Sequence, residues 1–264
     1  INKNKYLYFK KMSRNRVVNY FDNLLQNQVK LMIPERNFGS IVSGGVDSSL
    51  ISYYLNKLSK PKIFAGINHV GKDKVIKKTF LFEKKLNKKI NVIKLDQKKY
   101  YNNLKKVYKR LHFPFLTHDY VSRHIISEYF IKKKCKVFFS GDGADELFGG
   151  YKLYSKTKWT KFKNSSPYSS IDKELNTKTS KYINKLWLSA NKKFLNFLKP
   201  LEASIQASLF TDYFIQGVSV ANIGTDLLSG ENSIETRNPF IQKKMIANAI
   251  NLPIKYKINL KSKI

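Results

Sequence analysis

The 264-residue chain is short of cysteine, arginine and acid. Its single cysteine, Cys135, excludes an intramolecular disulfide and any multi-cysteine zinc or iron–sulfur site; it fits a reducing compartment and reads as a buried strand residue. No apolar run approaches the about 20 residues that span a bilayer, and Ile1-Asn2-Lys3-Asn4-Lys5 has no signal-peptide apolar core. A soluble, cytoplasmic protein with no membrane partner is expected. Because the chain opens on Ile1 and stops at Lys263-Ile264 without an evident cap, a piece of a longer polypeptide is expected too.

Acids number 18 against 50 Lys+Arg, a formal charge of +32, and of those 50 cations only 6 are arginine. A protein that reads bases or grips phosphates is expected to use more arginine, whose planar fork suits guanine and phosphate, so nucleic acid is not the expected partner. The lysine pairs Lys77-Lys78, Lys84-Lys85, Lys88-Lys89, Lys98-Lys99 and Lys105-Lys106 read as solvated helix faces in a lysine-biased composition. An acidic partner, a polyanion or a membrane surface attracted by the summed field is the alternative meaning of the charge. With 42% hydrophobic residues spread along the whole length, the chain folds around a core.

The order of patterns fixes a fold class. A helical period over 15–32 is broken by Pro34 and Gly39. Ser40-Ile41-Val42 then reads as a buried strand that runs through Ser43-Gly44-Gly45-Val46-Asp47-Ser48-Ser49 into a helix from Leu50. Further apolar strands follow at Ile63–Ile67, Ile90–Leu95 and Lys136–Phe139, separated by helices over 73–88, 97–111 and, after a Pro114 turn, 118–133. Alternating strands and helices with continuously apolar strands predict an α/β fold with a doubly wound parallel sheet. Beyond residue 152 no further strand is expected; 157–179 reads as polar loop, helical periods return over 180–198 and 200–217, and Pro239 and Pro253 punctuate the tail. The expected organisation is a helical lead-in over 1–36, an α/β core over 37–151 and a helical subdomain over 152–264.

Two loops carry the chemistry. In Ser43–Ser49, Gly44 and Gly45 let the backbone approach an anion, the next helix offers unpaired N–H groups, and the serines add hydroxyl donors, so the loop is built for phosphate. It lacks the Gly-Lys-Ser/Thr ending of a Walker A loop, and its Asp47 would repel phosphate unless a cation such as Mg²⁺ stood between them. The second loop, Ser140-Gly141-Asp142-Gly143-Ala144-Asp145-Glu146-Leu147-Phe148-Gly149-Gly150-Tyr151, crowds three carboxylates into five residues. Asp145 is the natural second Mg²⁺ ligand. The histidines His69, His112, His118 and His124 match no zinc spacing and read as surface or capping residues; His69 and His118 could face a nucleotide.

Together the two loops resemble the synthetase domain of asparagine synthetases and the related β-lactam synthetases, members of the ATP-pyrophosphatase superfamily with an adenine nucleotide alpha hydrolase-like core. Asp226–Phe240, with Glu235-Thr236-Arg237-Asn238-Pro239-Phe240, resembles a further family segment, and Leu252-Pro253 with Tyr256-Lys257-Ile258 resembles the approach to the family's catalytic lysine. The resemblance implies that Ser43, Gly44, Gly45, Asp47, Ser48 and Ser49 bind the phosphates of ATP, with Asp47 and Asp145 on Mg²⁺. It implies that Val42, Gly66, Ile67, Ser140 and Gly141 surround the adenosine. Asp142 and Glu146 take catalytic positions, Asp142 where the family places a carboxylate important to the acyl-adenylate. Glu235 and Arg237 would hold the helical subdomain against the active site, and Lys263, or in another register Lys261, would neutralise charge on the phosphates.

The implied reaction is adenylation of a carboxylate, aspartate first, with pyrophosphate released and an amide formed with ammonia, the nitrogen supplied by a glutaminase domain or subunit; a homodimer is possible. Leu227, Gly230 and Gln242 depart from the family pattern and leave the acceptor open to another acid or a lactam-forming relative. A tRNA-modifying ATP pyrophosphatase and a non-catalytic nucleotide-binding module are the competing readings.

Overall fold

The computed structural model describes residues 1–61, 63–69, 73–111, 119–151, 185, 189, 197–198, 200–213 and 223–258. The expectations for 157–179, most of the helix over 180–198, Pro114, His112, His118, Lys261 and Lys263 lie outside these residues. The chain divides into two compact units: a sheet unit of Asp22–Asp142 with Val218–Gln242, and a helical unit of Ile1–Phe21, Gly143–Gly217 and Lys243–Ile264. The contiguous boundaries expected at 36 and 151 cut across these units.

The sheet unit holds five strands, β1 (Phe38–Ile41), β2 (Ile63–His69), β3 (Ile90–Leu95), β4 (Val137–Phe139) and β5 (Glu235–Arg237), in the order β3-β2-β1-β4-β5. Every pairing is parallel. β5 corrects the expectation that strands end by residue 152. A three-residue segment with two charged side chains carries no strand signature of its own; it is a strand because the edge of β4 offers partners, Glu235 N–H donating to Lys136 O at 2.9 Å and Ser140 N–H to Arg237 O at 3.0 Å.

Helices α1 (Lys3–Lys11) and α2 (Arg14–Met32) open the chain, and α3 (Val46–Leu58), α4 (Asp73–Leu86), α5 (Gln97–Leu111) and α6 (Asp119–Lys132) connect the strands. After β4 come α7 (Ala144–Phe148), α8 (Pro200–Asp212), α9 (Ile223–Gly230) and α10 (Lys243–Ala249) among the described elements. Lys98, Lys105, Lys106 and Lys109 of α5 are exposed and Lys99 is half-buried, while Val107 and Leu111 are buried, and Asp96 caps the helix by accepting from Lys99 N–H at 2.7 Å. The solvated-face reading holds there for Lys98 and Lys105-Lys106, whereas half-buried Lys99 donates through Nζ to Lys94 O at 3.3 Å.

Adjacent residues of β2 show why the sheet is wound on both faces. Phe64 packs with Val42, Leu86 and Ile90, whereas its neighbour Ala65 packs with Ile126, Phe130, Cys135 and Phe138, because successive side chains leave a strand on opposite sides. Cys135 is buried just before β4. Gly39 leaves room for the Phe130 ring, which stacks on Phe138 with centroids 5.2 Å apart. The helical unit has its own core, Ile205, Leu209, Ile254 and Ile258. Aromatic packing of Phe9, Tyr20, Phe21 and Phe148 adds to it.

Candidate functional site

In the strand order 3-2-1-4-5 the chain moves outward from β1 through β2 and β3, then returns to the other side of β1 with β4. The loops leaving β1 and β4 therefore diverge and open a crevice beyond the carboxyl ends of the strands, which is where open α/β sheets take ligands. The loop after β1 is Ser43–Gly45, and the loop after β4 begins Ser140-Gly141-Asp142. Two motifs almost 100 residues apart in the chain meet here: a Cβ on Gly141 would lie 2.7 Å from Ser48 N and 2.8 Å from Asp47 C. Only a glycine allows so close an approach.

The first loop is organised by its own hydroxyls. Ser48 Oγ accepts from Ser43 N–H at 3.1 Å and lies 2.9 Å from Ser43 Oγ, while Ser49 Oγ donates to Gly45 O at 2.7 Å. Gly44 has φ 77°, a left-handed conformation that favours glycine, and turns the chain into α3. Gly45 is the N-cap of α3 and provides no side-chain cap, so the first turn of the helix presents its positive end to the crevice, with Asp47 in that turn. Val46 is 79% exposed beside it. A glycine turn with serine hydroxyls at the start of a helix suits phosphate chemically.

Val42, one residue past β1, and Gly66, midway along β2, are both buried, tied by Val42 N–H donating to Ala65 O at 2.8 Å, and Ile67 is half-buried one residue on. A side chain at Gly66 would collide with the Val42 carbonyl. Ser140 is buried and Gly141 half-buried. The expected adenosine positions Val42, Gly66, Ser140 and Gly141 thus share the strand-end region of one unit with the phosphate positions Ser43, Gly44, Gly45, Asp47, Ser48 and Ser49.

Asp142 is held by a residue the sequence reading did not single out. Arg123 of α6 donates through Nη1 to Asp142 Oδ2 at 2.6 Å and through Nη2 to Asp142 Oδ1 at 3.2 Å, with 19% and 20% of the two side chains exposed. Nη1 also donates to Thr225 Oγ1 on α9. Burial works against the guanidinium's charge, but the Asp142 carboxylate more than restores it, and the arginine titrates above its ordinary value. The signal that could have found Arg123 is scarcity: where lysine supplies 44 of 50 cations, a retained arginine points to a carboxylate fork that lysine cannot make.

Glu235 and Arg237 pair on β5, Nε to Oε1 at 2.8 Å and Nη2 to Oε2 at 3.1 Å, and Arg237 also donates to Met32 O. These contacts all lie within the sheet unit. His124 is buried in α6, 3.3 Å from Glu128, rather than at the surface, which corrects the surface reading.

The helical unit carries the rest of the second motif. Asp145 sits in the first turn of α7, a helix bounded by left-handed Gly143 (φ 94°) and Gly149 (φ 74°). Gly149 and Gly150 donate their N–H groups to Asp145 O at 2.8 and 3.0 Å, and a side chain at Gly150 would overlap the Asp145 carboxylate. Glu146 is buried and accepts from Tyr151 Oη at 2.6 Å. It lines a mainly apolar cavity of about 90 Å³ with Leu147, Gln206, Leu209, Tyr213 and Lys257. Lys257 Nζ donates to Gln206 Oε1 at 3.1 Å. Although that residue as a whole is half-buried, desolvation of its ammonium pushes it down to about 7 against the partial opposition of Glu202, and burial beside Glu146 pushes the Tyr213 phenol up. Nothing in the local sequence distinguishes Lys257 from 43 other lysines; only its tertiary surroundings do.

Among the described residues no group of three or more His, Cys, Asp or Glu could hold a metal. Mg²⁺ needs less from a protein, since one or two carboxylates and the substrate's phosphates suffice, and the Asp47 carboxylate in the first turn of α3 fits that donor set. Also among the described residues, no helix is long and apolar enough to cross a membrane.

Solved structures of similar shape include an NH3-dependent NAD synthetase from Campylobacter jejuni, 16% identical with a TM-score of 0.39, covering 77% of this chain and 96% of that one. An NMN synthetase from Francisella tularensis is 13% identical with a TM-score of 0.40, covering 84% and 94%. Among curated proteins, "Putative asparagine synthetase [glutamine-hydrolyzing] 1" of Methanocaldococcus jannaschii is 26% identical over 255 residues, 96% of this chain and 39% of the relative. The chain thus spans about two-fifths of that relative's length. The family model described as asparagine synthase matches residues 20–263, nearly the whole chain, and the chain belongs to the asparagine synthase family.

Proposed function

We propose that this chain is the synthetase part of an ATP-dependent amide-forming ligase that adenylates a carboxylate, aspartate before others, and passes the acyl group to ammonia. The observation that carries the reading is the seating of Gly141 against Asp47 and Ser48 at the point where the strand order reverses. That contact sets a phosphate-binding helix N-terminus beside the loop bearing Asp142. Family membership supports an ATP-using synthetase, and the M. jannaschii relative's name supplies the choice of aspartate and glutamine-derived nitrogen.

In this reading Ser43, Gly44, Gly45, Ser48 and Ser49 bind the pyrophosphate portion of ATP through N–H and hydroxyl donors, while Val42, Gly66, Ile67, Ser140 and Gly141 flank the adenosine. Asp47 is the sheet unit's Mg²⁺ ligand, with Asp145 proposed as the second. When bound, the ion would offset charge on the departing pyrophosphate. The residues' contribution is positioning: a carboxylate held in line with the α-phosphorus attacks, pyrophosphate leaves, and an amine displaces AMP. Asp142 faces the acyl half, and Lys263 remains the proposed countercharge for the phosphates. Glu146 is proposed as a further catalytic residue, and Glu235 with Arg237 to brace the exit of β4, where Ser140 N–H donates to Arg237 O. A glutaminase domain or subunit, a homodimeric assembly and a cytoplasmic location complete the proposal.

The test is substrate-dependent pyrophosphate release by the full-length protein with Mg-ATP, ammonia or glutamine, and a panel of carboxylates led by aspartate. Release with aspartate and formation of asparagine establishes the reading. Release with another acid moves the substrate and keeps the mechanism, and ATP binding without release from any acid overturns it in favour of a nucleotide-binding module.

A further inference from the structure

Asp142 stands on the crevice side of the sheet unit, one residue beyond the glycine that packs on the phosphate loop. A carboxylate on a loop ordinarily samples several rotamers, at a cost in any reaction that needs its oxygens in one place. Here two separated helices and the loop itself restrict that freedom. α6 provides the Arg123 fork, at 2.6 and 3.2 Å to the two carboxylate oxygens; α9 provides Thr225, which shares the Arg123 Nη1 proton donors; and Ser140 Oγ accepts from Asp142 N–H at 3.4 Å. The α6 end of the clamp is itself fixed, because Tyr120, Val121 and Ile125 around Arg123 are buried and Gly224 of α9 packs directly on the Tyr120 ring.

We propose that Arg123 is a positioning residue for the acyl-adenylate step: it orients the Asp142 carboxylate toward the acyl group and balances its charge from behind. The inference rests on the function proposed above and deepens it by naming what aims Asp142. An arginine suits the task where a lysine does not, since two parallel N–H···O bonds fix both the direction and the plane of a carboxylate. A carboxylate offers about four lone-pair sites and the fork occupies two, so Asp142 keeps acceptor capacity on its free side. Because the Arg123–Asp142 pair is neutral as a unit, Asp142 recognises a donor on the acyl group by hydrogen bonding rather than by bare charge. The hydrogen bonds of Arg123 go to Asp142 and Thr225, so nucleotide affinity is expected to be independent of it.

The test uses the full-length protein and, as probe, aspartyl-sulfamoyl adenosine, a stable analogue of the acyl-adenylate. Its binding is measured by calorimetry beside that of Mg-ATP for wild type, Arg123→Met, Arg123→Lys, Asp142→Asn and the Arg123→Met/Asp142→Asn double variant. The expected result is about a tenfold or greater loss of probe affinity in Arg123→Met, partial recovery in Arg123→Lys, Mg-ATP affinity within about threefold of wild type, and a double variant no worse than the poorer single one. In turnover kcat falls while KM for ATP holds. Probe affinity unchanged in Arg123→Met, a parallel loss of ATP binding, or additive losses in the double variant would overturn the proposal and leave Arg123 a fold-stabilising ion pair. If Arg123→Met does not fold, Arg123→Lys and Asp142→Asn decide by the same criteria. Wild type that binds the probe through Arg123 yet releases no pyrophosphate with any acid keeps the positioning role and sinks the synthetase reading; wild type that binds ATP but not the probe overturns both.

Discussion

The two units handle polar groups in opposite ways. In the sheet unit, Ser43, Gly44, Gly45 and Asp47 lie exposed or half-exposed on a strand-to-helix turn organised by the Ser43 and Ser48 hydroxyls. In the helical unit, Glu146 and Lys257 line a small apolar cavity, with their bonding atoms taken by Tyr151 and Gln206. The difference teaches that charge near a catalytic motif has two uses. At a strand end, in the function proposed here, it acts on a ligand and adds little to stability. Inside an apolar wall it fixes a conformation and carries a desolvation cost that makes each partner matter to the fold.

Substitutions can break this contrast or sharpen it. The largest effect is expected at Asp47: Asp47→Asn should lower Mg-ATP-dependent pyrophosphate release by about a thousandfold or more while thermal unfolding stays within a few degrees. Turnover close to wild type would remove Asp47 from the metal site. Next comes Gly141→Ala, whose new methyl would stand 2.7 Å from Ser48 N. Pushing the two motifs apart should cost about a hundredfold in turnover and weaken ATP binding, measured by steady-state kinetics and calorimetry; an unaffected Gly141→Ala enzyme would mean the motifs need not touch.

In the helical unit the expected change is in stability. Lys257 titrates at about 7 in the fold against 10.5 as an ordinary lysine, so between those values the unfolded chain binds more protons and stability rises with pH. Lys257→Met removes that slope. Between pH 7 and pH 10 wild type should gain about 3.5 kcal/mol relative to Lys257→Met in denaturant unfolding, and parallel pH curves for the two proteins would show that the ammonium is not desolvated. The smallest effect belongs to the surface. Lys106, 54% exposed and 3.9 Å from Glu128, should change stability by less than about 0.5 kcal/mol on Lys106→Gln, and a larger loss in the same unfolding assay would give the exposed lysines a structural part.

The strand, glycine loop and helix at 38–58 were legible because their signals are local. An apolar run, two glycines and a helical period sit in consecutive residues, and each constrains the backbone through its own sterics. The same holds for β2, β3 and β4, and for α5 with its lysine face. β5 was not legible, because Glu235-Thr236-Arg237 becomes a strand only by borrowing the free edge of β4.

By itself, then, the sequence determined the α/β class, the order of the first four strands with the helices between them, and the two loops, since propensity, periodicity and motif spacing act along the chain. The tertiary structure alone decided which groups those loops meet: Gly141 seated on the phosphate loop, Arg123 aimed at Asp142, Lys257 stripped of water beside Gln206. Each of these depends on residues far apart in the chain arriving at one place, and burial, countercharge and close approach are properties of that place rather than of any single segment.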